Sequence, residues 1–208
     1  LYVYDIATAT TQCLYEQDDM AFHRVIELDN QVVCFLNDQP NFTLNRNPKI
    51  YTLKDKQLSK QVDLDQSLGN SIGSDVRFGG SSLDVLLDDH YYFVSTIDDH
   101  SELFCLHADF RLESVYQAKG SIDGLVYAQQ QFFVIALEKQ ALQEIYGLDL
   151  ITKRVKRKTS FNRKVLKNKF VIKPKKVVVK KEGVEVKGFV LLPPHYQTMP
   201  TCGAILNL

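Results

Sequence analysis

The feature that most constrains the fold of this chain is a short aromatic phrase that recurs along it. The phrase is a β-rich run of four or five residues, and it occurs at 2–5, 50–53, 103–106 and 145–149. The spacings between successive copies are about 48, 53 and 42 residues. A short polar turn and a second, weaker strand follow each copy, at 11–15, 58–64, 112–117 and 152–159. Self-similarity at this period is typical of proteins that are built from stacked structural repeats.

Each of the last three phrases is also preceded by a predicted β-hairpin. Val, Ile, Tyr and Phe dominate the paired runs, and Asp, Asn and Gln fill the tight turns between them. The three hairpins cover residues 25–36, 83–96 and 125–137. Each repeat therefore has four antiparallel strands, which is the pattern of a β-propeller blade. The sequence predicts an all-β partial propeller of about three whole blades plus the trailing half of another at 1–15.

The repeat differs from those of the two commonest scaffold propellers. The chain contains no Trp, so it lacks the Trp-Asp pairs of WD repeats, and a kelch-type doublet occurs only once, at Gly79-Gly80. A blade of this kind does not bury both of its faces alone and requires a neighbour on each side. We therefore expect exposed apolar faces on the first and last blades, and self-association, as in a homodimer, through those faces.

Composition is that of an ordinary globular protein. Of 208 residues, 45% are hydrophobic and 24% are charged, and no apolar run approaches the ~20 residues of a membrane span. The first residues read as a strand rather than as a secretory leader. The chain has no starting Met and ends in an apolar run, so we expect it to be part of a longer protein. The four cysteines form no Cys-x-x-Cys pair, which favours buried free thiols and a reducing, cytoplasmic location.

The charges are unevenly distributed, although the net charge is zero. Residues 153–181 contain 14 Lys or Arg and no Asp or Glu, which leaves the remainder of the chain acidic. Such a block can mark a nucleic-acid contact. Phe161 and Phe170 are its only aromatic residues, however, and they offer little surface for stacking bases. We therefore expect a basic connector that complements the acidic body, and no nucleic-acid partner.

The C-terminal quarter carries the most specific pattern in the chain. Thr159-Ser160-Phe161-Asn162 is followed by the basic connector and then by a G-x-x-x-x-G-x-x-x-x-P hairpin with Gly183, Gly188 and Pro193. Together with the apolar end at 203–208, this arrangement resembles the junction between the β-propeller and the α/β-hydrolase domain of prolyl oligopeptidase family serine peptidases, of the acylaminoacyl- or dipeptidyl-peptidase type.

The resemblance implies a division of the chain into three parts. Residues 1–162 would be the propeller fragment, and residues 163–175 would be a linker. Residues 176–208 would start the α/β-hydrolase domain, with a hairpin at 176–192 and a first buried strand at 202–208.

The residues that serine-peptidase catalysis requires are not found in this sequence. Such an enzyme needs a G-x-S-x-G nucleophile elbow, a triad Asp and His that follow it, and donors for the oxyanion. Residues 69–73 have the letters of an elbow, with Ser71 at the centre, but they lie in a polar stretch between two groups of strands. An elbow has to follow a buried strand and open a helix. We therefore expect Ser71 to be a loop serine and the chain to contain no catalytic residue.

The sequence also predicts no metal and no cofactor. The five histidines include no i,i+4 pair, and the aspartate pairs lack the Gly and terminal Glu of a calcium loop. Cys105 and His107 share one face of a predicted strand, but two ligands do not define a site.

The resemblance implies a role in substrate gating. In the family, the propeller caps the active site, admits only short peptides and lends side chains from its inner loops to bind the substrate. Arg77 is the one basic residue of an acidic, Gly-flanked loop region, and it is the candidate for binding a peptide carboxylate or carbonyl. A structural salt bridge is the alternative role for Arg77.

The implied parent protein would release N-terminal acylated amino acids or dipeptides from short peptides. Its partners would be its own C-terminal α/β-hydrolase domain and the peptide substrates, with no membrane. The alternative is a non-enzymatic β-propeller that serves as a protein-interaction scaffold. That alternative accounts equally well for the repeats, but it leaves the C-terminal hairpin without a purpose.

Overall fold

The computed structural model describes residues 1–38, 46–72, 81–138, 142–198, 201 and 203–205. These residues form two compact units, 1–160 and 161–208. The first unit is built almost entirely from antiparallel strands, and the second contains one hairpin and two short helical turns.

The first unit contains a two-stranded hairpin and three larger sheets. The hairpin consists of β1 (Tyr2–Asp5) and β2 (Thr10–Cys13). The sheet that we call blade 1 has the order β3 (Met20–Leu28), β4 (Gln31–Asp38), β5 (Lys49–Lys54) and β6 (Gln57–Val62). In blade 2, β7 (Ser67–Leu68) and β8 (Asp84–Leu87) both pair with β9 (His90–Ile97), which is followed by β10 (His100–His107) and β11 (Leu112–Gln117). Blade 3 has the order β12 (Ile122–Ala128), β13 (Gln131–Ala136), β14 (Glu144–Asp149) and β15 (Arg154–Arg157). The predicted partial propeller of three blades and a half is therefore confirmed.

Tight turns with a left-handed backbone join the first two long strands of blades 1 and 3. Asp29 and Asn30 have φ angles of 50° and 56°, and Gln129 and Gln130 have φ angles of 50° and 57°. Two successive positive φ values are the mark of a type I′ turn, whose twist matches that of the strands that it joins. These turns fix the register of the hairpins, for example Leu28 opposite Gln31 in blade 1.

The hydrophobic core lies between successive blades, and β9 contributes to it on both of its faces. Phe93 points towards blade 1, where its ring centroid is 5.5 Å from that of Phe35. Tyr92 points the other way and lies 4.6 Å from Phe132 of blade 3. Successive side chains of a strand point to opposite faces, so one aromatic run supplies two cores. Each large apolar side chain that is buried in this way contributes about 1.5–3 kcal/mol.

The first strands of blades 2 and 3 lie against each other, as expected of strands near the axis of a propeller. β8 contacts β12, the first strand of the next blade, whereas every residue of β15 is exposed. The first strand of blade 2 is interrupted, because β7 and β8 pair with different parts of β9 and residues 69–83 connect them. The short β7 was not predicted from the sequence.

The second unit begins with α1 (Arg163–Leu166), continues through the hairpin β16 (Lys175–Lys181) and β17 (Val184–Val190), and includes a 3-10 helix at Tyr196–Thr198. The hairpin predicted at 176–192 is therefore present. No helix in the described parts of the chain has the length and hydropathy of a membrane span.

The apolar strand expected at 202–208 is not seen where the structure describes this segment. Residues 201 and 203–205 are exposed and have no strand assignment, and Ile205 is 99% exposed. A single apolar strand requires neighbouring strands to bury it, and no described residue of this unit pairs with it. Cys202 and residues 206–208 lie outside the described residues. The assignment of 163–175 as a linker and of 176–208 to a hydrolase domain stays a prediction.

Candidate functional site at the inner strands

Both residues singled out from the sequence, Ser71 and Arg77, lie in the part of the chain between β7 and β8 of blade 2. Arg77 lies outside the described residues. Ser71 is exposed, and its backbone N–H donates a hydrogen bond to Oγ1 of Thr96 at 2.9 Å. The described residues that follow β7, up to Ile72, form no helix.

A polar cluster ties this loop to the next blade. At the start of β12, the carboxylate of Asp123 accepts hydrogen bonds from Nδ2 of Asn70 at 2.9 Å, from Oγ of Ser121 at 2.7 Å and from Nε2 of Gln143 at 3.3 Å. Oδ1 of Asn70 accepts a hydrogen bond from Oγ of Ser101 at 2.8 Å. We call these five residues the inner polar cluster, since they join the first strands of blades 2 and 3.

The backbone at both described ends of the loop is also fixed. The N–H of Gly69 donates to the carbonyl of Val94 at 2.8 Å. At the other end, the carbonyl of Ser82 accepts from the N–H of Leu125 in blade 3 at 2.8 Å. The loop therefore leaves and re-enters the sheet at two points that are held by hydrogen bonds, next to the first strands of blades 2 and 3.

The inner polar cluster is suited to positioning rather than to chemistry. Ser101 and Ser121 are buried, and both oxygens of the Asp123 carboxylate already accept hydrogen bonds from neighbouring side chains. Hydrogen bonds between side chains of different blades restrict the movement of the groups that they join. The arrangement can hold a loop in place at the inner end of two blades. Sequence reasoning missed it, because Asn70 and Asp123 are separated by 53 positions and belong to no recognisable motif.

A second group of side chains, in the hairpin of β9 and β10, has the chemistry of metal ligands. His90, Cys105 and His107 offer ligand atoms that all lie within 4.8 Å of one another. Sequence analysis considered all five histidines and placed Cys105 and His107 on one strand face, but it did not group His90 with them. The signal was nevertheless present, because the turn at Asp98-Asp99 pairs Ile97 with His100, and counting outwards from that pair places His90 opposite His107.

No protein-family model matches this sequence, and no curated protein matches it either. Solved structures match it in fold. An acylaminoacyl peptidase of Pyrococcus horikoshii has a TM-score of 0.67 at 15% identity, over 93% of this chain and 28% of that chain. The chain shares the propeller fold of this peptidase. A puromycin-hydrolyzing peptidase of Mycobacterium tuberculosis also matches, with a TM-score of 0.56 at 12% identity, over 89% of this chain and 28% of that chain.

These similarities confirm, at the level of fold, the resemblance to the prolyl oligopeptidase family that the C-terminal quarter of the sequence suggested. The chain spans only 28% of the length of the peptidases cited above.

Proposed function

We propose that this chain is the non-catalytic, substrate-gating part of a serine peptidase that resembles acylaminoacyl peptidase. The parent protein would release N-terminal acylated amino acids or dipeptides from short peptides. The observation that supports this function is the similarity of fold to the Pyrococcus horikoshii acylaminoacyl peptidase, which extends over 93% of the chain. A propeller in this role would pack against its own α/β-hydrolase domain and admit short peptides to it.

The inner strand of blade 2 supports the gating role. Arg77 belongs to the segment that connects β7 to β8, and the inner polar cluster fixes the described start of that segment through Asn70 and Asp123. In the proposal, the Arg77 guanidinium binds a carboxylate or carbonyl of the peptide. The proposal also includes a cytoplasmic location, because Cys13, Cys34 and Cys105 are free thiols.

The first test is to read the coding sequence beyond Leu208 and to assay the protein that it encodes. We expect a His-Gly-Gly-type loop, then a G-x-S-x-G elbow within roughly a hundred residues, and then an Asp and a His in that order. The full protein should hydrolyse acylaminoacyl p-nitroanilides, and a Ser→Ala change in the elbow should abolish the activity. A coding sequence that stops near Leu208 or continues into further blades would refute the peptidase proposal.

A second test addresses the chain as it stands. We expect the 208-residue chain to hydrolyse no acylated peptide, because its sequence provides no elbow with its triad. The measurement is turnover of an acylaminoacyl p-nitroanilide by the purified chain, with the Ser71→Ala variant as the control. Turnover that disappears in Ser71→Ala would contradict both this expectation and the interpretation of Ser71 as a loop serine.

The proposed role of Arg77 is tested in the full protein. Removing one charge-assisted hydrogen bond costs about 1.5 kcal/mol, so Arg77→Ala should raise KM about tenfold and leave kcat nearly unchanged. Arg77→Lys, which keeps the charge, should recover part of the loss. A KM that does not change in Arg77→Ala would leave the structural salt bridge as the role of this residue.

The scaffold function is the alternative, and an exposed apolar face of blade 3 favours it. Val126 and Ile135 lie on that face, opposite to the side that packs on blade 2. A non-enzymatic propeller would use such a surface to bind another protein. The coding sequence beyond Leu208 distinguishes the two functions, because a scaffold requires no elbow.

The proposal also excludes a nucleic-acid partner, although β16 is basic and exposed. A nucleic-acid contact predicts binding that weakens steeply as salt rises. We expect the chain to retain neither duplex nor single-stranded DNA in a filter-binding assay at low salt. Retention that is lost at high salt would reinstate the basic segment as a nucleic-acid contact.

A further inference from the structure

One face of blade 2 carries two histidines, a cysteine and a carboxylate side by side. His90 of β9 is directly opposite His107 of β10. Cys105 is two residues before His107 on the same strand, so both side chains project from the same face of the sheet. On the other side of β10, Glu113 of β11 is directly opposite Cys105. Three neighbouring strands therefore bring four potential ligands to one place.

The distances between these side chains are close to those of a metal site. The ligand atoms of His90, Cys105 and His107 lie within 4.8 Å of one another, and the two imidazole rings have their centroids 4.8 Å apart. Zinc binds sulfur at about 2.3 Å and nitrogen at about 2.0–2.1 Å, so ligands of one ion lie roughly 3–4 Å apart. Small rotations of the side chains, without movement of the strands, would bring these three groups to that separation.

Burial also favours a bound ion over a solvated cluster. Cys105 is 2% exposed, and both histidines are partly buried. A hydrogen bond joins the sulfur of Cys105 to the side chain of Tyr92. A coordinated metal ion displaces the thiol proton, and the hydrogen bond from Tyr92 then also stabilises the thiolate.

The positively charged side chain of Arg111 already contacts two of these four residues. Its Nη2 is 3.1 Å from Nδ1 of His107, and its Nη1 is 2.9 Å from Oε2 of Glu113. Nε2 of His107 is 3.2 Å from the same carboxylate oxygen. The Arg111 side chain is 56% exposed and can turn into solvent when an ion replaces it.

We propose that His90, Cys105, His107 and Glu113 bind one zinc-class divalent cation and so fasten together the three strands β9, β10 and β11. Cys105 loses its thiol proton to solvent as the metal–sulfur bond forms, His90 and His107 bind as neutral imidazoles, and Glu113 supplies a carboxylate oxygen. One thiolate, two imidazoles and one carboxylate suit Zn²⁺ in preference to Ca²⁺ or Mg²⁺, which require oxygen ligands.

The test is a titration of the metal-free chain with Co²⁺, which reports thiolate coordination through a charge-transfer absorption band. We expect one Co²⁺ per chain, a band that Zn²⁺ abolishes by displacement, and a higher melting temperature with either ion. Cys105→Ser should lose the charge-transfer band. Cys34→Ser is the matched control, because Cys34 is a buried thiol of blade 1, and it should keep both the band and the stoichiometry.

Two further variants keep the test decisive if Cys105→Ser does not fold. His90→Gln, at a partly exposed position, should weaken Co²⁺ binding at least tenfold, whereas the same change at His100, outside the set, should not. Arg111→Gln should strengthen binding, since the competing guanidinium is removed. Absence of stoichiometric binding in the unaltered chain, or binding that His90→Gln leaves unchanged, would overturn the proposal.

Discussion

Single polar side chains connect one blade to the next at points where the apolar core ends. Tyr116, on β11 of blade 2, donates its hydroxyl hydrogen bond to the carboxylate of Glu138, which follows β13 of blade 3. Burial, together with this hydrogen bond and the charge of Glu138, raises the pKa of Tyr116 well above its usual value. The neutral phenol is therefore the form that the folded chain stabilises.

This contact predicts a loss of stability in alkali. An unfolded Tyr has a pKa near 10, and the folded value is higher, so the contribution of Tyr116 is complete below about pH 10 and is lost as pH rises further. Tyr116→Phe should lower the free energy of unfolding by about 1–2 kcal/mol at pH 7 and make its decline above pH 10 less steep. Urea titrations at a series of pH values measure both effects. Tyr4→Phe, at an exposed position, should leave the pH 7 value unchanged, and an equal loss there would contradict the assignment.

At the same scale, contacts within a hairpin can be predicted from a sequence more readily than contacts between blades. The pairing of His90 with His107 follows from one turn, because a strand register is fixed once its turn is known. The hydrogen bond from Asn70 to Asp123 joins two blades, and no local pattern sets their relative register. For this reason the inner polar cluster was not found before the structure.

At the scale of the elements, the turn of blade 3 has a backbone conformation that its residue types disfavour. Gln129 and Gln130 adopt the two positive φ values of a type I′ turn, which Asn and Gly adopt more readily than Gln. A residue with a Cβ pays about 1–2 kcal/mol for the left-handed conformation. In blade 1 the equivalent turn uses Asp29 and Asn30, whose short polar side chains tolerate that conformation.

Gln130→Gly should therefore stabilise the first unit. We expect the free energy of unfolding to rise by about 1 kcal/mol, because glycine relieves the strain at this position while losing somewhat more backbone entropy. The matched change Asn30→Gly should have a smaller effect. Both values come from urea unfolding at pH 7. A decrease in stability for Gln130→Gly would show that its side chain makes contacts that outweigh the backbone strain.

The bounds of a strand were predicted correctly where apolar and polar residues alternate regularly along it. β11 has the predicted bounds, whereas β3 begins five residues before the predicted hairpin. A bulge between Phe22 and Arg24 interrupts the alternation of β3 and so hides its first half from a periodicity argument. β7 has only two residues, too few to show any period. The strand at 202–208 was predicted from its apolar run and from the family resemblance, and neither of these supplies the neighbouring strands that a buried strand requires.

For the whole molecule, the decisive feature is the outer face of blade 3. Leu125 and Val134 point towards blade 2 and are buried, whereas Val126 and Ile135 point away and are 52% and 37% exposed. This sheet therefore has an apolar second face that no other described part of the first unit covers. Propeller blades normally cover such faces with a neighbouring blade, and exposed apolar sheet faces promote association.

We expect the 208-residue chain to self-associate through this face, with two copies packing blade 3 against blade 3. Sedimentation velocity over a range of concentrations should show a monomer–dimer equilibrium. Ile135→Lys should shift it to monomer, because an ammonium group buried between the two sheets loses its hydration without gaining a partner. Ile151→Lys is the matched control, since Ile151 is 95% exposed in the β14–β15 turn, and it should leave the equilibrium unchanged. A monomer at every concentration, or a dimer that persists in Ile135→Lys, would show that this face is not the contact between copies.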